Sequence, residues 1–120
     1  MAYSSFENLE VWQKACQLSV KVYQALKHCN DYGLKDQMTR AGVSVASNIA
    51  EGAERNSTAE YIRFLHIAKG SAAELRTQLY IANRIDVVPD DTRKELVSDC
   101  IRVSQMIHAL IRSLSVKLKS

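Results

Sequence analysis

Residues 34–55 read LKDQMTRAGVSVASNIAEGAER. The run has no proline and alternates small, bulky and charged residues at helical intervals. On a wheel of about 100° per residue, Arg40, Ser44, Asn48, Glu51 and Arg55 fall in one arc of about 80°. Leu34, Met38, Ala41, Val43, Val45, Ala46, Ile49, Ala50 and Ala53 cover about 200° of the remainder. An amphipathic surface helix needs an apolar stripe of only about 100° or somewhat more. The segment is therefore expected to be a helix buried on more sides than one partner can cover. Subunit association is the simplest cover for the rest. Ala41, Gly42, Ala46, Ala50, Gly52 and Ala53 also let backbones approach closely.

Working outward, three more helices are expected. The first runs over about residues 7–29. There Val11, Ala15, Leu18, Val22, Ala25 and Cys29 recur at steps of four and three, beside a second stripe of Leu9, Trp12, Cys16, Ser19, Tyr23 and Leu26. Asn30-Asp31-Tyr32-Gly33 ends it. The second helix covers about 34–54. The third covers about 58–85 and opens on Ser57-Thr58-Ala59-Glu60, a capping-box pattern. Gly70 lies inside this helix and costs about 1 kcal/mol relative to alanine, which a close helix crossing there would offset. Pro89 breaks the pattern, and Asp90 or Asp91 is expected to cap a fourth helix over about 91–118. Its stripe is Leu96, Cys100, Val103, Ile107, Leu110 and Leu114. Short loops make sequential helices antiparallel neighbours. The expected fold is all-α, an up-down-up-down antiparallel four-helix bundle, with residues 1–120 as one domain.

Composition agrees. Apolar residues at 47% and charged residues at 24% describe an ordinary globular chain. No apolar run approaches the roughly 18 residues of a membrane span. MAYSSFENLEVW lacks the basic-then-apolar order of an export signal, so the expected address is the cytoplasm. Cys16, Cys29 and Cys100 have no metal or redox spacing and are read as buried free thiols. A net charge of +3 permits contact with nucleic acid without requiring it.

An antiparallel hairpin about Asn56-Ser57 sets a register between the second and third helices. Arg40 then meets Glu74, Ser44 meets Gly70 or Ser71, Glu51 meets Arg63, and Arg55 meets Glu60. The polar arc, with Asn48, is thus expected to be a seam between helices that fixes register more than it adds stability.

Several blocks also resemble a known family. FENLEVWQKA, YGLKDQMTRAGVSVASNIAEGAER and EYIRFLHIAKGSAAELRTQL resemble the four-helix-bundle family also called the 23S rRNA intervening-sequence protein family. The matching positions run Gln37, Arg40, Ala41, Ser44, Asn48, Ile49, Ala50, Glu51 and Gly52, then Phe64, Ala68, Gly70, Ser71, Glu74 and Leu75. The chain departs from the family where Cys29-Asn30-Asp31 leads straight into Tyr-Gly-Leu, without a longer proline-containing connection. The resemblance implies a four-helix bundle in a ring-like homo-oligomer, often a pentamer. It also extends to the accessory variability protein of diversity-generating retroelements, which binds nucleic acid and a reverse transcriptase. The family carries no established catalytic residues.

Enzymatic chemistry finds little footing in the residues. His28, His66 and His108 lie far apart, no Glu-x-x-His occurs, and no phosphate-cradling glycine loop or nucleophile elbow is present. Glu51 and Glu54 stand one turn apart with Arg55 beside them. No enzyme activity, cofactor or metal is expected. On the third helix, Arg63, His66, Lys69, Arg76 and Arg84 share an arc of about 140° without an acid. Tyr80 sits inside that arc, placed to stack on a base. These are the candidate residues for binding RNA or DNA, in competition with an ordinary solvated basic face. Such binding would be phosphate-driven and salt-sensitive. The alternative function is a scaffold that binds a protein partner through the apolar faces of the first two helices.

Overall fold

The computed structural model describes residues 5–119. Residues 1–4, the start of the segment read for an export signal, lie outside the described residues. A short 3-10 turn, Phe6–Asn8, precedes four helices: α1 (Glu10–Ala25), α2 (Tyr32–Ala53), α3 (Thr58–Arg84) and α4 (Asp90–Lys119). No strand occurs among the described residues.

Helix α1 is shorter than its periodicity predicts. At its start Leu9 is extended, at φ −77° and ψ 123°, and cuts the 3-10 turn from the helix. The turn has its own cap, with the Ser5 hydroxyl accepting from the Glu7 amide. The Phe6 ring stands edge-on to Trp12. At the other end Ala25 is the last helical residue and the buried Leu26 follows in a turn. Helix α2 begins at Tyr32, two residues earlier than expected, because Asp31 caps it by accepting from the Leu34 amide.

Ser57 caps α3 by accepting from the Glu60 amide at 3.1 Å. The reciprocal half of the capping box is absent, because the Glu60 carboxylate turns to Arg63 instead. The α3–α4 connection closes through Asp86, which takes the left-handed conformation at φ 63°. This lets the Val87 and Val88 amides both donate to the Ala82 carbonyl. Helix α4 starts at Asp90 itself, directly after Pro89. Asp90 does not cap its own helix as expected, since its carboxylate accepts from the Asn83 amide across the loop. Acids open α4 and Lys117 and Lys119 close it, which suits the helix dipole.

Each helix packs on two neighbours: α1 on α2 and α4, and α3 on α2 and α4. Gly52, late in α2, touches Tyr61 and Phe64, early in α3, while Ser44 meets Ser71 further along. These contacts run α2 and α3 antiparallel. Lys69 with His108, and Asn83 with Asp90, do the same for α3 and α4. The result is an all-α four-helix bundle of 49 × 24 × 21 Å. All four helices share one core, including Leu18, Val22, Met38, Ile49, Leu65, Leu75, Leu79, Leu96 and Ile107.

Of these two glycines, it is Gly52 and not Gly70 that lies hard against a neighbouring helix. A Cβ on Gly52 would stand 2.8 Å from Phe64 Cβ, whereas one on Gly70 would meet nothing within 4 Å. Gly70 faces outward, so no crossing within the chain offsets its helix penalty.

Candidate nucleic-acid interface

The polar arc of α2 does face α3, but its charges pair differently from the simple register. The centre holds as expected. Ser44 Oγ and Ser71 Oγ are 2.8 Å apart, and Asn48 Nδ2 donates to the Ser44 carbonyl and hydroxyl at 2.8 and 3.0 Å. The flanking cations instead turn to acids on their own helices. Arg40 bonds Asp36 at 3.0 Å, and Glu74 has no ion pair among the described residues. Glu51 pairs with Arg55 at 3.8 Å, and Glu60 with Arg63 at 2.8 Å. These groups are largely exposed, so an acid one turn away wins over one across the groove. Arg55 and Arg63 still converge across the seam. Their guanidinium carbons lie 4.6 and 4.5 Å from the centre of the Phe64 ring. The Arg63 hydrogen bonds, with the field of Arg55, hold the Glu60 carboxyl below the usual carboxylate range. Phe64 is thus the cross-helix element that charge matching missed. Its signal was a buried-size aromatic directly opposite Gly52.

Gln78 was also missed. It is buried two turns beyond Ser71, and its Oε1 has no hydrogen-bond partner.

The basic arc of α3 divides. Arg63 leaves it, held by Glu60 and Phe64. Lys69, Arg76 and Tyr80 remain toward α4, and Arg84 and His66 are exposed beside them on α3. Helix α4 adds two groups that a single wheel could not show. His108 Nδ1 stands 3.3 Å from Lys69 Nζ, and the Arg93 guanidinium lies over the Tyr80 ring at 5.6 Å. The Nε of Arg93 is buried without a partner. Arg76 lies close enough to α4 for its charge to act on Cys100. Lys69, Arg76, Arg84 and Arg93 therefore form one basic strip across two helices.

The acids of α4 mostly lie elsewhere. Glu95 and Asp99 turn toward α1, where Lys21 bonds them at 2.9 and 3.0 Å. Asp90 binds Asn83 at the end of the strip.

The thiols do not build a site. Cys100 is buried, and desolvation pushes its pKa up to about 12, which keeps it protonated and inert. Cys16 and Cys29 are only half-buried, contrary to the expectation of three buried thiols. Among the described residues, no three His, Cys, Asp or Glu side chains gather as metal ligands, and no helix is long and apolar enough to cross a membrane.

Between α1 and α2 lies an open apolar hollow lined by Phe6, Trp12, Val20, Tyr23 and Val43. The wheel of α2 anticipated this uncovered apolar width.

Comparison with known proteins agrees with the fold. No curated protein matches the chain. A solved structure from Bacteroides thetaiotaomicron VPI-5482, described as a protein of unknown function from the S23 ribosomal protein family, superimposes with a TM-score of 0.80. It is 23% identical, and the match covers 84% of this chain and 97% of that one. The model of the 23S rRNA-intervening sequence protein family matches residues 7–109. On that match, spanning all of α1 to α3 and most of α4, the chain belongs to the 23S rRNA-intervening sequence protein family.

Proposed function

We propose that this protein is a non-enzymatic, oligomeric helical bundle that binds RNA or DNA by its phosphates, along the α3–α4 strip. One observation carries the reading. Four cations, Lys69, Arg76, Arg84 and Arg93, lie on two adjacent helices, while the α4 acids Glu95 and Asp99 are drawn to Lys21 on α1. A strip of that kind attracts a polyanion. Tyr80, with the Arg93 guanidinium over its ring, adds a stacking surface. Nothing in the strip reads base edges, so binding is governed by charge. The family resemblance implies a ring, often a pentamer. Repeating the strip in each subunit would multiply weak contacts.

The test is titration of structured RNA and duplex DNA at two salt concentrations. Four phosphate contacts per subunit give a slope of roughly −3 to −4 in log K against log salt on duplex DNA. Lys69→Glu/Arg76→Glu should abolish binding while leaving helicity unchanged. The α1–α2 hollow favours a second reading, a scaffold for a protein partner. Absence of any nucleic-acid binding at low salt would leave that reading in place.

A further inference from the structure

The basic strip contains one residue that charge does not explain. Tyr80 stands within it, with Arg76 one turn before it on α3 and Arg84 one turn after. At about 100° and 1.5 Å per residue, Lys69, Arg76, Tyr80 and Arg84 lie within an arc of about 80° along about 22 Å of helix. Each arginine is thus about 6 Å along the axis from the tyrosine. The Tyr80 ring keeps 41% of its surface in water. The Arg93 guanidinium lies over it at 5.6 Å, and the buried Nε anchors that arginine in α4. A ring steadied in this way and still open to water loses little freedom when another flat group is laid against it.

Acids bound the strip at one end only. Asp86, Asp90 and Asp91 follow Arg84 in the α3–α4 loop and the first turn of α4. In the other direction α3 has no acid between Glu60 and Glu74, and α4 has none after Asp99. Glu74 itself lies about 140° round the helix from Lys69. A polyanion on the strip therefore runs from Tyr80 past Arg76 toward Lys69 and His108, whose nitrogens are 3.3 Å apart.

We infer that Tyr80 stacks on an unpaired base, and that the strip takes single-stranded RNA or DNA in preference to a duplex. This rests on the phosphate-binding reading of the strip and names the class of nucleic acid it takes. Charge alone favours the duplex, which carries two strands of phosphate over the same length. A duplex keeps its bases stacked inside, so only its backbone meets a side chain on a convex helix surface. Tyr80 would then lie under sugar and phosphate, between the arginines that hold the phosphates, and contribute nothing. An unpaired strand instead turns a base onto the ring while its flanking phosphates reach an arginine one turn to either side. Every base has a flat face, so the preference is for the unpaired state and not for a sequence.

The experiment measures binding by fluorescence anisotropy at one low salt concentration. The probes are oligo-dT, an oligo-dA·oligo-dT duplex of the same length, and a strand of that length built of abasic nucleotides. All are too short to reach two subunits, so several strips acting together do not enter. The wild type should bind oligo-dT more tightly than the duplex and lose about tenfold or more on the abasic strand. Tyr80→Leu should lose about as much on oligo-dT and nothing on the duplex. Tyr80→Phe should keep the wild-type affinity for both. Should Tyr80→Leu disturb the helix, the abasic strand gives the same reading on the unaltered protein. A duplex bound as tightly as oligo-dT, or more tightly, overturns the inference and leaves the phosphate reading standing. An oligo-dT affinity indifferent to the bases or to the ring does the same, as does a Tyr80→Leu loss equal on strand and duplex. Binding to none of the probes overturns both.

Discussion

Two glycines in adjacent helices act in opposite directions. Gly52 is buried where α2 crosses α3, and a Cβ there would stand 2.8 Å from Phe64 Cβ and 3.1 Å from the Tyr61 carbonyl oxygen. Neither atom can swing away cheaply, since one is a β-carbon and the other backbone. Gly52→Ala is expected to lower stability by about 1–3 kcal/mol through overpacking. Gly70→Ala, made in the dissociated chain, is expected to raise it by about 1 kcal/mol, because the helix gains alanine and nothing is displaced. Chemical denaturation of the two variants should show midpoints moving in opposite directions. The seam gives a second test at this scale. Arg40 is tied to Asp36, so a double-mutant cycle of Arg40→Glu with Glu74→Arg should show no coupling. Ser44→Ala with Ser71→Ala should couple by about 1 kcal/mol, because the two hydroxyls bond each other.

At the scale of helices, the fold was legible wherever apolar periodicity was strong. The stripe through Leu96, Cys100, Val103 and Ile107 marked α4, and Ser57 marked the start of α3. The boundaries that moved were set by local geometry. Leu9 stays extended, and Asp31 caps two residues before the periodic stripe becomes visible. The small-residue centre of the α2–α3 register was readable, because hydroxyls with short side chains have few alternatives. The long arginines have many, so sequence opposition did not determine their partners. Arg93 and His108 escaped notice because a basic face shared by two helices is not visible on either wheel alone. The α1–α4 junction yields a pH prediction. Hydrogen bonds to Glu95 and then to Asp99 raise the Lys21 pKa above the ordinary lysine value. A raised folded-state pKa stabilises fully below the unfolded lysine value and is lost as pH rises through the folded one. Lys21 is well exposed, so Lys21→Ala should cost no more than about 1 kcal/mol. The cost should be constant across neutral pH, shrink with added salt, and vanish in strong alkali. Melting curves of the variant and the wild type across pH check this.

Taken whole, the molecule is a rod with a charged strip and an apolar hollow on separate sides. On the proposed function, that separation should make assembly and nucleic-acid binding independently removable. Val43→Glu should leave the intrinsic affinity of each basic strip intact and remove only the gain from several strips acting together. On a short oligonucleotide that reaches one subunit, its affinity should equal that of the wild type. On a long RNA it should fall by about tenfold or more. Fluorescence anisotropy with the two lengths checks both parts.

The break at Leu9 and the early stop at Ala25 leave α1 the shortest helix, with only 16 residues. One of its flanks lines the open hollow, and a partly solvated ion cluster fastens the other to α4. Amide hydrogen exchange should therefore be graded along the chain. Protons of α1 should be lost first, through an opening that leaves α2, α3 and α4 closed, and those around Leu65 to Leu79 should be retained longest. Covering the hollow with a neighbouring subunit should slow exchange in α1 more than in any other helix.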